Sequence, residues 1–103
     1  MIKVQIHRNE QSSIIGYDID GHAEYADAGE DIVCAAVSAI TQTALAGLIE
    51  FLKCNEAHEI KKGHLSVRLL QKPNERTDAI LKTMELGLWQ IATQSPQYVK
   101  INE

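Results

Sequence analysis

Apolar residues at the start of the chain fall on alternate positions. Ile2, Val4 and Ile6 point one way, Lys3, Gln5 and His7 the other. That period of two marks a half-buried strand over residues 1–8. Asn9-Glu10-Gln11-Ser12-Ser13 is a polar turn, and residues 14–20 alternate again through Ile15, Tyr17 and Ile19. Two such runs around a short polar turn predict an antiparallel hairpin. Beyond a stretch at 21–30 the period changes. Over residues 31 to 53, Val33, Val37, Ile40, Ala44, Leu48 and Phe51 recur at three and four residues, the core stripe of a helix.

The rest of that helix is also poor in charge. Ala35, Ala36, Ala39, Ala46 and Ile49 make most of its opposite side small or apolar. A helix apolar nearly all round is covered on both sides. In a chain of 103 residues the second cover would be another subunit, so the pattern predicts a homodimer packed through this first helix. The plainer alternative is that alanines are good helix formers.

Residues 57–62 and 64–70 form a second hairpin around Gly63, with Leu65, Val67 and Leu69 inward. Asn74 is placed to cap a second helix through Gln94 whose inward positions are Ile80, Met84, Leu88 and Ile91. Ser95-Pro96 ends it, because the residue before a proline is pushed out of helical geometry. Tyr98 to Ile101 is a last short strand. The order ββαββαβ predicts an α+β fold, a two-layer sandwich whose mostly antiparallel sheet carries both helices on one face. No repeat, low-complexity stretch or linker interrupts it, so residues 1–103 are expected to form a single domain.

Charge narrows the partners. Ten Lys and Arg against 14 Asp and Glu give a formal charge of -4, without the clustered cationic face that direct nucleic-acid binding needs. Lys61-Lys62 beside Gly63 reads as a solvated turn. Met1-Ile2-Lys3-Val4 opens straight into strand alternation, and no apolar run approaches the ~20 residues of a membrane span. A cytoplasmic protein with no membrane partner is expected. Cys34 and Cys54 make no CxxC and no metal pattern. On one helix they would lie roughly 30 Å apart, too far for a disulfide. His7, His58 and His64 have no paired ligands in the sequence, so a metal site is not expected. Trp89 is assigned to packing.

The candidate chemistry sits in "GHAEYADAGEDIVCAAVSA", residues 21 to 39. Cys34 falls at the start of the first helix, with Asp31 as its cap candidate. Orphan N–H groups and the positive end of the helix dipole would favour a thiolate there. Glu30 and Asp31 oppose this unless a cation intervenes, and His22, protonated and adjacent, supplies one. Gly21 and Gly29 relax the backbone at both ends of the loop and let His22 approach. The imidazole would take the thiol proton and later protonate a leaving amine, with backbone N–H groups at the helix start as oxyanion donors. Ser38, four residues on, shares the helix side and would form part of a cleft wall. From residue types alone the alternatives stay open: Cys34 as a small buried group, Ser38 as a helix hydroxyl, Asp31 as a cap only.

The same stretch resembles the signature of the bacterial ribosomal-processing cysteine protease family (Prp). The matching residues are Gly21-His22-Ala23, Tyr25-Ala26, Gly29, and Asp31 through Ala39. The closing "LGLWQIATQSPQYVKI" is similar to the family's last helix and strand. The resemblance implies a cofactor-free cysteine endopeptidase that removes the short N-terminal extension of a large-subunit ribosomal protein. It implies a cut after a Phe-Phe pair and before a small residue, with Cys34 as nucleophile and His22 as general base. Asp31 and Ser38 match family positions, Tyr25 is a candidate for lining the substrate cleft, and a homodimer is expected. Glu24 departs from the family's usual small residue. Two other classes stand beside this one: a non-catalytic ribosome-assembly module that binds the extension peptide, and a thiol redox sensor.

Overall fold

The computed structural model describes residues 1–21 and 28–103. Strands β1 (Ile2–Arg8) and β2 (Ile14–Asp20) are followed by helix α1 (Ala28–Ala46), which runs on into a π-helical turn, Gly47–Phe51. Then come β3 (Glu56–Lys61), β4 (His64–Leu69), helix α2 (Glu75–Gln94) and β5 (Val99–Asn102). The five strands form one sheet in the order β3-β4-β2-β1-β5. Every pairing is antiparallel except that of β1 with β5, which the α2 crossover makes parallel. The α+β order ββαββαβ expected from the sequence is the order observed.

Both helices pack on one sheet face. Ile2, Val4, Ile6, Tyr17, Leu65, Val67 and Val99 meet Val33, Val37, Leu45 and Leu48 of the α1 segment and Leu81, Met84 and Leu88 of α2. The other face is polar, and its centre is an ion cluster in which Asp18 takes His7 at 2.8 Å and Arg68 at 2.9 Å. Helix α2 starts where Asn74 caps it: the side chain accepts from Arg76 and Thr77 backbone N–H groups, and the Thr77 hydroxyl answers the Asn74 N–H.

Local irregularities moved several expected core positions. Arg8 pairs with Ile14 while His7 pairs with Gly16, so Ile15 is the extra residue of a bulge, and Ile14 is buried in its place. In the π-helical turn the Leu52 N–H reaches back to the Gly47 carbonyl, an i→i+5 bond. That extra residue swings Phe51 off the core stripe to 79% exposure. The chain then reverses at Lys53, in left-handed geometry (φ 52), so Cys54 lies beyond the helix. Trp89, expected to pack, is 42% exposed on α2.

One expectation about membranes needs correcting. Ala28–Phe51 is a 24-residue helix of hydropathy 1.9, long and apolar enough by length and composition to cross a membrane. Here the segment is the central helix of the fold, with Val33, Cys34, Val37, Thr41, Ala44, Leu45 and Leu48 turned to the interior.

Candidate active site

Helix α1 begins at Ala28, so Cys34 is its seventh residue and lies in the second turn. The expectation of a first-turn cysteine is therefore wrong by about one turn. Asp31 sits inside the first turn, exposed, rather than at the cap position, and Gly29 is helical rather than a loop hinge. The Cys34 amide lies past the orphan N–H groups of the helix start, and the dipole's influence fades within the first turn. The helix mouth is not what surrounds this sulfur.

What surrounds it is an apolar cleft. Cys34, only 6% exposed, lines a cavity of about 290 Å³ between α1 and the sheet. Ile2, Ile19 and Leu65 provide its floor, Val37, Ser38, Thr41 and Gln42 continue the α1 wall, and the Lys61–Gly63 turn provides a rim. Ser38 thus stands on the wall one helical turn beyond the thiol, exposed. The wall is anchored from below. Tyr17 is fully buried, and its hydroxyl donates to the Thr41 carbonyl at 2.8 Å. Burial, with Glu56 nearby, pushes the Tyr17 phenol up, so it stays a neutral donor. The buried Thr41 hydroxyl donates to the Val37 carbonyl at 2.8 Å, so no polar atom of that residue is wasted in the interior.

Beside the cleft, β2 ends at a clasp. Asp20 Oδ1 is 2.5 Å from His64 Nδ1, on the sheet face away from the helices, and the Gly21 N–H donates to the Gly63 carbonyl at 3.2 Å. Gly21 adopts φ 108, and a Cβ there would meet the Met1 carbonyl oxygen at 2.1 Å. Only glycine satisfies both conditions. The end of β2 is therefore fixed at Gly21. His22, Ala23 and Tyr25, with Glu24, lie outside the described residues. The strand histidines behave as structural groups: His7 pairs with Asp18, His58 with Glu56 and His64 with Asp20.

The second sulfur is a different environment. Neither cysteine is in a disulfide. Burial, with the Glu56 carboxylate nearby, pushes the Cys54 thiol up and keeps it protonated. Among the described residues no group of three or more His, Cys, Asp or Glu is placed to hold a metal. Sequence reasoning missed the cleft floor, because Ile2, Ile19 and Leu65 come from three strands and meet only through register. It also missed the Tyr17–Thr41 anchor, whose partners are 24 residues apart.

The described residues thus offer a thiol on the wall of an apolar cleft and a chain fastened at Gly21. Residues 1–100 match the profile of the family described as cysteine protease Prp. A "Ribosomal processing cysteine protease Prp" from Staphylococcus aureus is 30% identical over 105 residues, covering 99% of this chain and 98% of that protein. Two crystal structures of the S. aureus protease superpose over 99% of this chain and 98% of theirs. The one with a substrate peptide gives a TM-score of 0.92 at 27% identity. The one with a covalently linked product peptide gives 0.88 at 28%. Matched in sequence and in fold over nearly its whole length, the chain belongs to the Prp family of ribosomal-processing cysteine proteases.

Proposed function

We propose that residues 1–103 form one cytoplasmic protease domain that removes the short N-terminal extension of a large-subunit ribosomal protein. It cuts after a Phe-Phe pair and before a small residue. Cys34 is the nucleophile and His22 the general base. The observation that carries this reading is the placement of Cys34: a sulfur on a rigid helix wall, opening onto an apolar cleft that suits aromatic side chains. The His22 imidazole takes the Cys34 proton, and the thiolate attacks the carbonyl carbon of the second phenylalanine. The tetrahedral adduct collapses as its C–N bond breaks, and the imidazolium gives its proton to the departing amine. A water deprotonated by His22 then attacks the thioester, releasing the new carboxyl terminus and regenerating the thiol. Ser38 on the wall and Tyr25 in the loop are the supporting candidates for holding substrate, and Asp31, exposed in the first turn, is the more peripheral one. Ribosomal proteins are cationic, which suits an enzyme of charge -4.

A homodimer through α1 is part of the same proposal. Ile32 is 71% exposed, and an apolar groove of about 770 Å³ lies between the helices, lined by Ala39, Ile40, Gly47, Ile80, Met84 and Gly87. A monomeric mass at micromolar concentration in analytical ultracentrifugation would reject it.

The test of catalysis is a peptide containing Phe-Phe-Ala, with products weighed by mass spectrometry. The native protein should cleave between Phe and Ala, whereas Cys34→Ala and His22→Ala should not, with folding unchanged by circular dichroism. Turnover retained in either variant removes that residue from the mechanism. Stoichiometric binding without product would favour an assembly module instead.

A further inference from the structure

Three aliphatic side chains cross the sheet in a straight row on the helical face. Ile19 of β2 is directly opposite Leu65 of β4, and Leu65 is directly opposite Ile60 of β3. Strands lie 4.7–4.9 Å apart, so the row spans roughly 10 Å. All three residues line the Cys34 cleft, with Ser38 and Thr41 of α1 across from them. The inner members are covered: Leu65 is buried and Ile19 packs on the core. Ile60, on the edge strand, is 56% exposed although it faces the cleft rather than the polar side of the sheet. Its neighbours Glu59 and Lys61 turn to that polar side and pair with each other at 3.4 Å.

We infer that Ile60 is a specificity-determining residue. It forms the outer wall of a subsite for the first aromatic residue of the cleaved pair. This rests on the function proposed above and names what its cleft selects. The carbonyl of the second aromatic residue has to sit at the Cys34 sulfur, so the preceding residue extends away from the thiol toward the outer end of the row. There a ring laid across Leu65 and Ile60 removes the apolar surface that this fold leaves uncovered. The occupant is the substrate because the row is continuous with the cleft that holds the nucleophile.

The experiment is steady-state cleavage of two peptides, one with Phe-Phe-Ala at the cut and one with Ala-Phe-Ala. Native protein, Ile60→Ala and Ile60→Leu are compared. Truncating a side chain this exposed leaves the fold intact, so the variants isolate binding. For Phe-Phe-Ala, Ile60→Ala should raise KM about tenfold with kcat within about twofold, the mark of binding shared by ground and transition states. Ile60→Leu should restore KM. With Ala-Phe-Ala, Ile60→Ala should change nothing. An equal KM change for both peptides, no change for either, or a shift in sedimentation with KM unmoved would overturn the inference while leaving the protease reading standing. Failure of the native protein to cleave Phe-Phe-Ala at all would remove both.

Discussion

Replacing Gly21 by alanine should damage this protein twice, once in stability and once in turnover. At φ 108 a side chain is strained, and left-handed geometry costs a residue with a Cβ roughly 1–2 kcal/mol. The new Cβ would also lie 2.1 Å from the Met1 carbonyl oxygen, a backbone atom that cannot swing aside. Relief requires either β1 or the end of β2 to shift, and overpacking of that kind costs about 1–3 kcal/mol. Together these give a loss of about 2–5 kcal/mol, a large share of the roughly 5–15 kcal/mol that holds a domain together. At about 4–8 °C per kcal/mol for a domain of this size, Tm should fall by about 8–40 °C. Because Gly21 precedes His22 in the chain, kcat/KM for a Phe-Phe-Ala peptide should fall further than the folded fraction does, when measured well below the lowered Tm. Gly29→Ala is the internal control. Gly29 is helical, so alanine there should be neutral or stabilise by up to ~1 kcal/mol. Differential scanning calorimetry of both variants reads the result. Two glycines of equal effect, or a Gly21→Ala Tm within about 2 °C of native, would refute the geometry.

Glu85 sets a pH dependence. Burial pushes its carboxyl up, but the cationic donors Lys82 and Arg8 outweigh that and hold it down at about 2. A folded value below the unfolded 4.5 means the stabilisation is complete above about pH 4.5 and is lost as pH falls toward about 2. Glu85→Gln should therefore cost on the order of 3 kcal/mol at pH 7, with the gap in urea midpoints closing in acid; a gap constant across pH would reject this. Asn74→Ala removes the side-chain half of the α2 capping box, the acceptor for the Arg76 and Thr77 N–H groups, and should cost about 1–2 kcal/mol, against an expected near-zero cost for Asn74→Asp, both read by urea unfolding. Tyr17→Phe deletes the buried donor to the Thr41 carbonyl and should cost about 1–2 kcal/mol, where an unchanged urea midpoint would show that the anchor carries nothing.

Regular periodicity made most of the fold legible before any coordinates. Strand alternation at Ile2, Val4 and Ile6, the cap at Asn74 and the turn at Gly63 all mark elements where the structure has them, because each is decided by neighbours in the chain. The misplaced positions share a cause of the opposite kind. Ile15 and Phe51 were expected inward because period two and period 3.6 were run without interruption, and a bulge and a π-helical turn each add one residue and turn the next side chain away. Neither insertion carries a local signature as clear as a cap or a proline. The cleft was illegible for a further reason: Ile19, Leu65 and Ile60 become a row only through the pairing register of three strands.

The helix boundary has the largest chemical consequence. Glu30 and Asp31 occupy the first turn, where carboxylates suit the dipole, and a helix that opens at Ala28 accommodates both. The same boundary carries Cys34 one turn deeper, to a wall position that is 6% exposed and beyond the reach of the helix's positive end. A buried charge is costly unless paired, so a thiolate at that wall position calls for a cationic partner. The glycine clasp fixes the chain at Gly21, whose N–H is held by the Gly63 carbonyl, and Gly63 is on the rim of the same cleft. With His22 as the base proposed above, ionisation of the thiol depends on the imidazole rather than on the helix.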